Sequence, residues 1–301
     1  VTSIIPDAAL RQVGRIDPLP VLEQVETWGV TRCVASPAFF ERLLSADAGS
    51  LRQMKRIDTG GAPVFPSLLR RLQAAAPQAE VVALYGSTEA EPIAHVAWHE
   101  ISADDVAAML AGRGLLAGPV VEDVQLRIIL DQWGTPIAPL TPSELDASTC
   151  GANEPGEIVV TGDHVLRGYL NGEGDSETKF RVDNTIWHRT GDAGYLDGRG
   201  RLWLLGRASA KIEDDRGTLY PFAIEAAASE IDGIRRSALV QHNGRRVLVI
   251  EPTGTASSDL PQRVMSSLGW AFLDVCRLLP HIPVDKRHNA KIDYTQLRRF
   301  L

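Results

Sequence analysis

The amino-acid sequence predicts an α/β fold in two domains. Up to about residue 120, short apolar runs with strand character alternate with helix-like segments, which is typical of a mainly parallel sheet. From 121 to 206, short strands are separated by polar segments and turns, and from 207 to 301 helices and strands are mixed. We therefore predict a large domain over 1–206, whose α/β part is followed by a β-rich part, and a small α+β domain over 207–301.

Proline marks the start of each helix predicted in the α/β part. A proline in the first turn of a helix costs no hydrogen bond, because the first amides have no partner within the helix. The helices are predicted at Pro20–Trp28, Pro37–Leu44 and Pro66–Ala76. Apolar runs predict the strands between them at Thr31–Ala35, from Arg56 into a turn at Gly60–Pro63, and at Glu80–Tyr85.

The β-rich part and the small domain follow a different pattern. Two antiparallel strands enclose a long polar surface loop over 131–155, which is rich in Pro, Thr and Ser, and a third strand follows. These strands are predicted at Val124–Leu130, Gly156–Val160 and Arg201–Leu205. The small domain is predicted as a helix at Pro221–Glu230, strands at Arg236–His242 and Arg245–Glu251, a helix near Leu260–Leu268, an extended Ile282–Asp285 and a final helix from about Tyr294.

Charge and composition exclude several classes of partner. The 301 residues carry 31 Lys+Arg against 38 Asp+Glu, a net charge of −7, which argues against nucleic acid as a ligand. No apolar run approaches the ~20 residues that cross a bilayer, and the first residues do not form a signal peptide. Cys33, Cys150 and Cys276 are widely separated, as in a reducing compartment. We expect a cytoplasmic protein without a transmembrane segment.

The segment Tyr85-Gly-Ser-Thr-Glu89 directly follows a predicted buried strand. Ligands gather at the carboxyl ends of strands in α/β sheets, and a glycine lets the backbone approach a ligand closely. Thr88 offers a hydroxyl to a phosphate oxygen, and Glu89 offers the hard carboxylate that Mg²⁺ prefers. The alternative is an ordinary surface turn with an exposed glutamate.

Two further glycine-containing segments are candidates for ligand binding. Gly60-Gly-Ala-Pro63 ends the preceding strand, where bare backbone could contact a flat ring or simply turn. In Trp187-His-Arg-Thr-Gly-Asp192, the aspartate could accept two hydroxyl hydrogen bonds from a ribose, and Arg207 follows one short strand later. The alternative for this second segment is a solvated β-hairpin.

The last candidate is Lys291, at the end of a basic segment. Pro283-Val-Asp-Lys-Arg-His-Asn-Ala-Lys291 is either a solvated loop or places Lys291 against an acyl or phosphoryl oxygen that develops charge. The seven histidines show no metal-ligand spacing, and the sequence contains no GxSxG nucleophile motif.

In their order, these motifs resemble the adenylate-forming superfamily of acyl-CoA synthetases, luciferases and peptide-synthetase adenylation domains. The motifs are GGAP, YGSTE, GEIVVTG, RGYL, WHRTGDAGYLD, GRLWLLGR and a terminal NAK. The resemblance implies the back portion of a large α/β domain followed by a C-terminal lid domain, with a hinge at Ala208–Ser209. It also implies ATP or AMP and Mg²⁺ as cofactors, and a carboxylic acid as substrate.

The same resemblance implies a role for each candidate residue. Thr88 would contact the phosphate, Glu89 would hold Mg²⁺, and Lys291 would be the adenylation lysine. Asp192 would bind the ribose hydroxyls with Arg207 close by. The adenine pocket and its surroundings would be lined by Gly60, Gly61, Ala62, Tyr85, Gly86 and Ser87.

Within the superfamily, the chain looks most like the olefin β-lactone synthetases. The segments that carry this likeness are Ile5-Pro-Asp7, Gly29-Val-Thr31, Ala35-Ser-Pro37, Arg235–Val240 and Pro283–Ile292. The likeness implies activation of a long-chain β-hydroxy acid with ATP, followed by attack of the β-hydroxyl on the acyl-adenylate, without CoA. Acyl-CoA ligases carry Asp or Lys at the hinge and a Lys soon after, whereas this chain has Ser209 and Glu213.

The superfamily's phosphate-binding loop, rich in Ser, Thr and Gly, has no counterpart in this sequence. Without its backbone donors the β- and γ-phosphates are poorly held. We therefore expect an incomplete enzyme that adenylates poorly alone, completed by an N-terminal portion or a separate subunit. The alternatives are a fragment of an acyl-CoA or acyl-carrier-protein ligase and a non-catalytic nucleotide-binding or docking partner.

Overall fold

A computed structural model describes residues 2–285 and 291–301 of the chain. These residues form two compact units. The first contains the chain up to Leu84, Val96–Ser102 and the described part of Pro283–Leu301, and the second contains Tyr85–His95 and Ala103–Ile282. The second unit therefore includes both the β-rich part and most of the predicted small domain, and the domain boundary at 206/207 stays a prediction.

The elements of the described residues follow one another in chain order. The strands are β1 Arg32–Ala35, β2 Arg56–Thr59, β3 Glu80–Ser87, β4 Ala90–Ala97, β5 Leu115–Pro119, β6 Val124–Ile129, β7 Gly156–Gly162, β8 Lys179–Val182, β9 Thr185–Leu196, β10 Arg201–Arg207, β11 Ile212–Asp214, β12 Gly217–Leu219, β13 Ile234–His242, β14 Arg245–Pro252 and β15 Val275–Leu278. The helices are α1 Leu19–Thr27, α2 Pro37–Ala46, α3 Pro66–Ala75, α4 Ala103–Ala108, α5 Pro142–Ser148, α6 Asp175–Thr178, α7 Pro221–Ala228, α8 Leu260–Ser267 and α9 Tyr294–Leu297.

The first unit is built on the parallel strands β1, β2 and β3. Each strand pairs with the next in parallel, and α2 and α3 provide the connections. Phe40 and Leu43 of α2, Leu72 of α3 and Ile57 of β2 are completely or almost completely buried in one core. The predicted parallel sheet and its proline-initiated helices are therefore confirmed, with boundaries that differ by a few residues.

The second unit contains an antiparallel sheet in the order β5-β10-β9-β7-β6, with β8 paired to β9. Its core includes Ile128, Ile158, Val160 and Leu202. Successive side chains of a strand point to opposite faces, and Ile129 and Val159 are buried in a second cluster, so β7 is buried on both faces. The strands predicted at Val124, Gly156 and Arg201 are confirmed.

The C-terminal part of the second unit is a three-stranded sheet covered by α7 and α8. β13 and β14 pair antiparallel, and β15 adds to β14 in parallel. Ile224 of α7, Val264 of α8 and Leu239 and Leu248 of the sheet form its core. The predicted helix–strand–strand–helix order is confirmed. Among the described residues, no helix is long and apolar enough to cross a membrane.

Several local expectations were wrong. The segment 131–155 contains α5, which a capping box between Thr141 and Glu144 starts, so it is not loop throughout. The expected loop after Tyr85 is the end of β3, which continues to Ser87. At the C-terminus, by contrast, the final helix predicted from about Tyr294 is confirmed: α9 begins at Tyr294 and is followed by 3-10 structure. The predicted extended segment at 282–285 contributes one bridge, between Val284 and Ile292.

Candidate functional site

Thr88 and Glu89 form the two-residue connection between β3 and β4. The glycine just before it is required by space: a Cβ on Gly86 would lie 2.9 Å from the carbonyl oxygen of Ala90, across the connection. Ser87, the last residue of β3, is partly buried, whereas Thr88 is exposed. The hydroxyl of Thr88 is therefore accessible to a ligand in solution.

Glu89 is held at both its backbone and its side chain. Its carbonyl oxygen accepts a hydrogen bond from the amide of Leu166 (2.7 Å), and its Oε1 accepts one from the Tyr169 hydroxyl (2.8 Å). Burial raises the pKa of the Glu89 carboxyl, but the hydrogen bonds, that of Tyr169 foremost, outweigh it and lower the pKa. The carboxylate is therefore charged at neutral pH, which is the form that binds a hard cation.

The donor set at Glu89 fits Mg²⁺ that shares a ligand's phosphates. Mg²⁺ in proteins is commonly held by one or two carboxylates, with water and substrate phosphates completing its octahedron. Within residues 2–285 and 291–301, no group of three or more His, Cys, Asp or Glu could hold a metal alone. Glu89 therefore suits a Mg²⁺ site that substrate phosphates complete, and not a site made of protein ligands alone.

Asp192 lies on β9, opposite Arg207 on β10 in the register of the two strands. Its Oδ1 accepts a hydrogen bond from the Arg207 guanidinium (3.1 Å), and its Oδ2 accepts one from the Tyr85 hydroxyl (3.0 Å). Burial first, and the charge of Asp192 second, raise the pKa of Tyr85, so the phenol remains a neutral donor. The structure thus joins Tyr85, Asp192 and Arg207 directly.

A glycine is needed immediately before Asp192. Gly191 has φ +73°, and a Cβ at this position would lie 2.7 Å from the Arg207 guanidinium and 2.9 Å from the ring of Trp133. L-residues with side chains rarely adopt such a φ. Gly191 therefore allows the close approach of Arg207 to Asp192.

Gly60, Gly61 and Ala62 follow β2 in the first unit. A Cβ on Gly60 would lie 2.7 Å from the carbonyl oxygen of Leu84, so the backbone here runs directly against β3. Gly61 is exposed and has φ +77°. These three residues belong to the first unit, whereas Tyr85, Asp192 and Arg207 belong to the second. That they line one pocket stays a prediction.

Lys291 is exposed and begins the last described segment. Its backbone is fixed by Asp285: the Lys291 amide donates to Asp285 Oδ1 (3.0 Å), and the Lys291 carbonyl accepts from the Asp285 amide (2.8 Å). Residues 286–290, the remainder of the basic segment, lie outside the described residues. The assignment of Lys291 to adenylation stays a prediction.

Two further residues, Lys179 and His188, interact electrostatically with Glu89 and were not predicted from the sequence as site residues. They face each other in the β8–β9 register, and Lys179 Nζ is 3.1 Å from His188 Nδ1. Burial first, and the neighbouring Lys179 second, lower the pKa of His188 to about 4, and burial lowers the pKa of Lys179. His188 lies within the Trp187–Asp192 segment that the sequence singled out, but it was given no role there, and Lys179 belongs to no motif. Only the strand pairing brings the two residues together.

A buried ion pair supports the strand that carries Asp192. Arg189, which is 1% exposed, donates to both carboxylate oxygens of Glu157 at 2.7 and 2.8 Å. Its guanidinium also donates to the carbonyl oxygens of Thr135 (2.7 Å) and Gln132 (3.1 Å) and lies over the ring of Trp133. Arg189 therefore fixes the 132–135 segment against β9, next to Gly191.

The chain is similar to known AMP-binding proteins. A family model described as "AMP-binding enzyme" matches residues 8–170. An "Olefin beta-lactone synthetase" of Stenotrophomonas maltophilia (strain K279a) is 32% identical over 99% of this chain and 56% of the relative. "4-coumarate-CoA ligase 2" of Narcissus pseudonarcissus is 26% identical over 86% of this chain and 43% of the relative. The chain thus spans about half the length of these relatives.

A solved structure shows the same fold. ATP-bound MatB from Rhodopseudomonas palustris superposes with a TM-score of 0.73 at 21% identity, over 94% of this chain and 53% of that one. At this identity the likeness concerns the fold alone. It agrees with the expected α/β architecture, in which a parallel sheet precedes β-rich and α+β parts.

Proposed function

Because the chain belongs to the AMP-binding enzyme family, whose model matches residues 8–170, we propose that it serves ATP-dependent activation of a carboxylic acid as an acyl-adenylate. The observation that carries the proposal is the arrangement of Tyr85, Asp192 and Arg207. Two donors orient one partly buried carboxylate, each at a different oxygen. A carboxylate with two oriented oxygens matches the vicinal hydroxyls of a ribose.

In the proposed reaction, a substrate carboxylate oxygen attacks the α-phosphorus of ATP, and pyrophosphate leaves. Asp192 binds the ribose, with Arg207 beside it, and Thr88 donates its hydroxyl to a phosphate oxygen. Glu89 holds Mg²⁺, which neutralises phosphate charge when bound. Lys291 donates to the oxygens on which charge develops. Gly60, Gly61, Ala62 and Gly86 provide backbone that adenine can approach closely, with Ser87 beside them.

We propose that the acid is a long-chain β-hydroxy acid and the product a β-lactone. In the second step the β-hydroxyl oxygen bonds to the acyl carbon, the bond from that carbon to the phosphate oxygen breaks, and AMP leaves while the hydroxyl proton passes to water. Ring closure gains from the high effective molarity of a group on the same molecule. Similarity to an olefin β-lactone synthetase over 99% of the chain supports this choice.

The alternative is a fragment of an acyl-CoA or acyl-carrier-protein ligase, which similarity to a 4-coumarate–CoA ligase supports. The hinge region favours the lactone. Ser209 occupies the hinge, and Glu213 stands where CoA ligases have a lysine; here it pairs with Lys211 at 3.0 Å. ATP turnover that depends on CoA and accepts plain fatty acids would favour the alternative.

Two assays test this function. We expect calorimetry to detect AMP binding to the chain and Asp192→Ala to weaken it at least tenfold; unchanged AMP affinity in the variant would contradict the site and favour a docking role. We expect slow ATP–pyrophosphate exchange by the chain alone, because it lacks a phosphate-binding loop. Fast exchange would contradict the incompleteness that we propose.

We propose a cytoplasmic location, which the unpaired Cys33, Cys150 and Cys276 support.

A further inference from the structure

We propose that Lys179, oriented by His188, is a positioning residue for Glu89. Lys179 holds the segment 166–169 in place, and this segment binds the backbone and the side chain of Glu89. The inference rests on the proposed function for its consequence, since Glu89 is the residue proposed to hold Mg²⁺. The contacts that carry it exist in the free chain. They join four side chains from three separate parts of the second unit.

The first step is the anchoring of Lys179 itself. The residue begins β8 and is 8% exposed, and its register partner on β9 is His188, which is 3% exposed. Residues opposite each other in an antiparallel pair point to the same face of the sheet. His188 Nδ1 therefore lies 3.1 Å from Lys179 Nζ and fixes where the ammonium points.

The second step is the contact of Lys179 with the segment 166–169. Its ammonium donates a hydrogen bond to the carbonyl oxygen of Leu166 and lies 5.3 Å from the centroid of the Tyr169 ring. One cation thus contacts both ends of the segment, by a charge-assisted hydrogen bond and by a cation–π contact. Loss of the ammonium removes both contacts together.

The third step is the pair of hydrogen bonds from that segment to Glu89. The amide of Leu166 donates to the Glu89 carbonyl, and the hydroxyl of Tyr169 donates to Glu89 Oε1. Leu166 and Tyr169, which Lys179 contacts, therefore both hold Glu89. Lys179 acts through them, and the carboxylate remains available to a cation.

The burial of the Lys179 ammonium favours a role beyond packing. An ammonium costs several kcal/mol to bury unless it is well paired, and an apolar side chain of similar length would pack here at lower cost. Groups that orient a metal ligand commonly change metal affinity 10- to 100-fold when removed. A buried cation that specifies one geometry for the Tyr169–Glu89 hydrogen bond explains its presence.

Carbon-13 NMR of the Glu89 carboxyl group tests the proposal without any nucleotide. Tyr169→Phe removes the hydrogen bond and gives the reference shift for a released carboxylate. We expect Lys179→Met to move the Glu89 resonance towards that reference and Lys179→Arg to leave it near the wild-type position. A Lys55→Met control removes an exposed lysine of the first unit and should change nothing.

A Lys179→Met protein that is less stable but keeps the wild-type Glu89 resonance would overturn the proposal, because Lys179 would then serve only the fold. If that variant gives no dispersed spectrum, Lys179→Gln, which retains a donor for Leu166, is subject to the same two outcomes.

The consequence for the metal is measured separately by calorimetry. Addition of Mg²⁺ should raise the ATP affinity of the wild type, and Lys179→Met should lose about tenfold of this gain while keeping its affinity for metal-free AMP. A uniform loss for both nucleotides would contradict the role at Glu89. If neither protein binds nucleotide, the proposed function fails, whereas the NMR result still decides the positioning role.

Discussion

The buried pair of Arg189 and Glu157 offers the sharpest test of how the Asp192 strand is held. The two side chains are 1% and 0% exposed, so a partner left alone would be an uncompensated buried charge. Removing one member of such a pair costs about 3–5 kcal/mol. We expect Glu157→Gln to lie near the lower limit, because the amide oxygen still accepts one hydrogen bond.

Arg189→Met should be more costly than Glu157→Gln. It leaves the Glu157 carboxylate buried, and it also removes the hydrogen bonds to the carbonyl oxygens of Thr135 and Gln132. Each of these contributes about 1 kcal/mol, so the variant should lose about 2 kcal/mol beyond the cost of the orphaned carboxylate. The double variant Glu157→Leu/Arg189→Met leaves no buried charge and should lose only about those 2 kcal/mol.

Urea denaturation of the four proteins, followed by tryptophan fluorescence, measures these differences. The double variant should be more stable than Arg189→Met by at least about 2 kcal/mol, although it carries one more substitution. If the double variant is no more stable than Arg189→Met, the reasoning about unpaired buried charge is refuted. AMP affinity should fall in the single variants, because the displaced residues flank Gly191 and Asp192.

Three other predictions follow from single sites. Gly191→Ala should weaken AMP binding at least tenfold by displacing Arg207, whereas Gly198→Ala, whose Cβ would meet no atom within 4 Å, should bind normally; equal affinities in calorimetry would contradict this. The pKa of His188 is lowered to about 4 from 6.5, so the unfolded chain takes up the proton first as the pH falls. Stability should therefore decline from about pH 6.5 to pH 4, by up to about 3 kcal/mol, and His188→Gln should remove most of this slope in urea titrations at each pH. Arg216 and the amide of Arg246 hold the pKa of Asp274 at about 2, below its usual 3.8, so the stability that it contributes is present above pH 4 and is lost as the pH falls towards 2. Asp274→Asn should reduce the loss of unfolding free energy between pH 4 and pH 2. An unchanged loss over this pH range would contradict the role of the Arg216–Asp274 ion pair.

The sequence was most informative where structure depends on neighbouring residues. Proline at the start of α2 and α3, and apolar runs at β1 to β3, are local signals, and the helices and parallel strands that they predict are present. Helix α5 was missed because its capping box lies in a polar segment that contains few apolar residues. β8 was missed because its alternation of charged and apolar side chains, Lys-Phe-Arg-Val, extends over only four residues.

The candidate site shows the same limit. The motifs identified Tyr85, Glu89, Asp192 and Arg207 as separate candidates, but the hydrogen bond between Tyr85 and Asp192 joins residues 107 positions apart. Lys179 and His188 become neighbours only when β8 pairs with β9. Such contacts depend on strand register, which no single segment specifies.

The central claim is that Tyr85, Asp192 and Arg207 bind a nucleotide, and an AMP titration followed by amide NMR tests it most directly. The account predicts saturable shifts at these three residues and at Gly60–Ala62, all of which Asp192→Ala abolishes. Saturable shifts confined to other surfaces, or shifts that persist in Asp192→Ala, would contradict it.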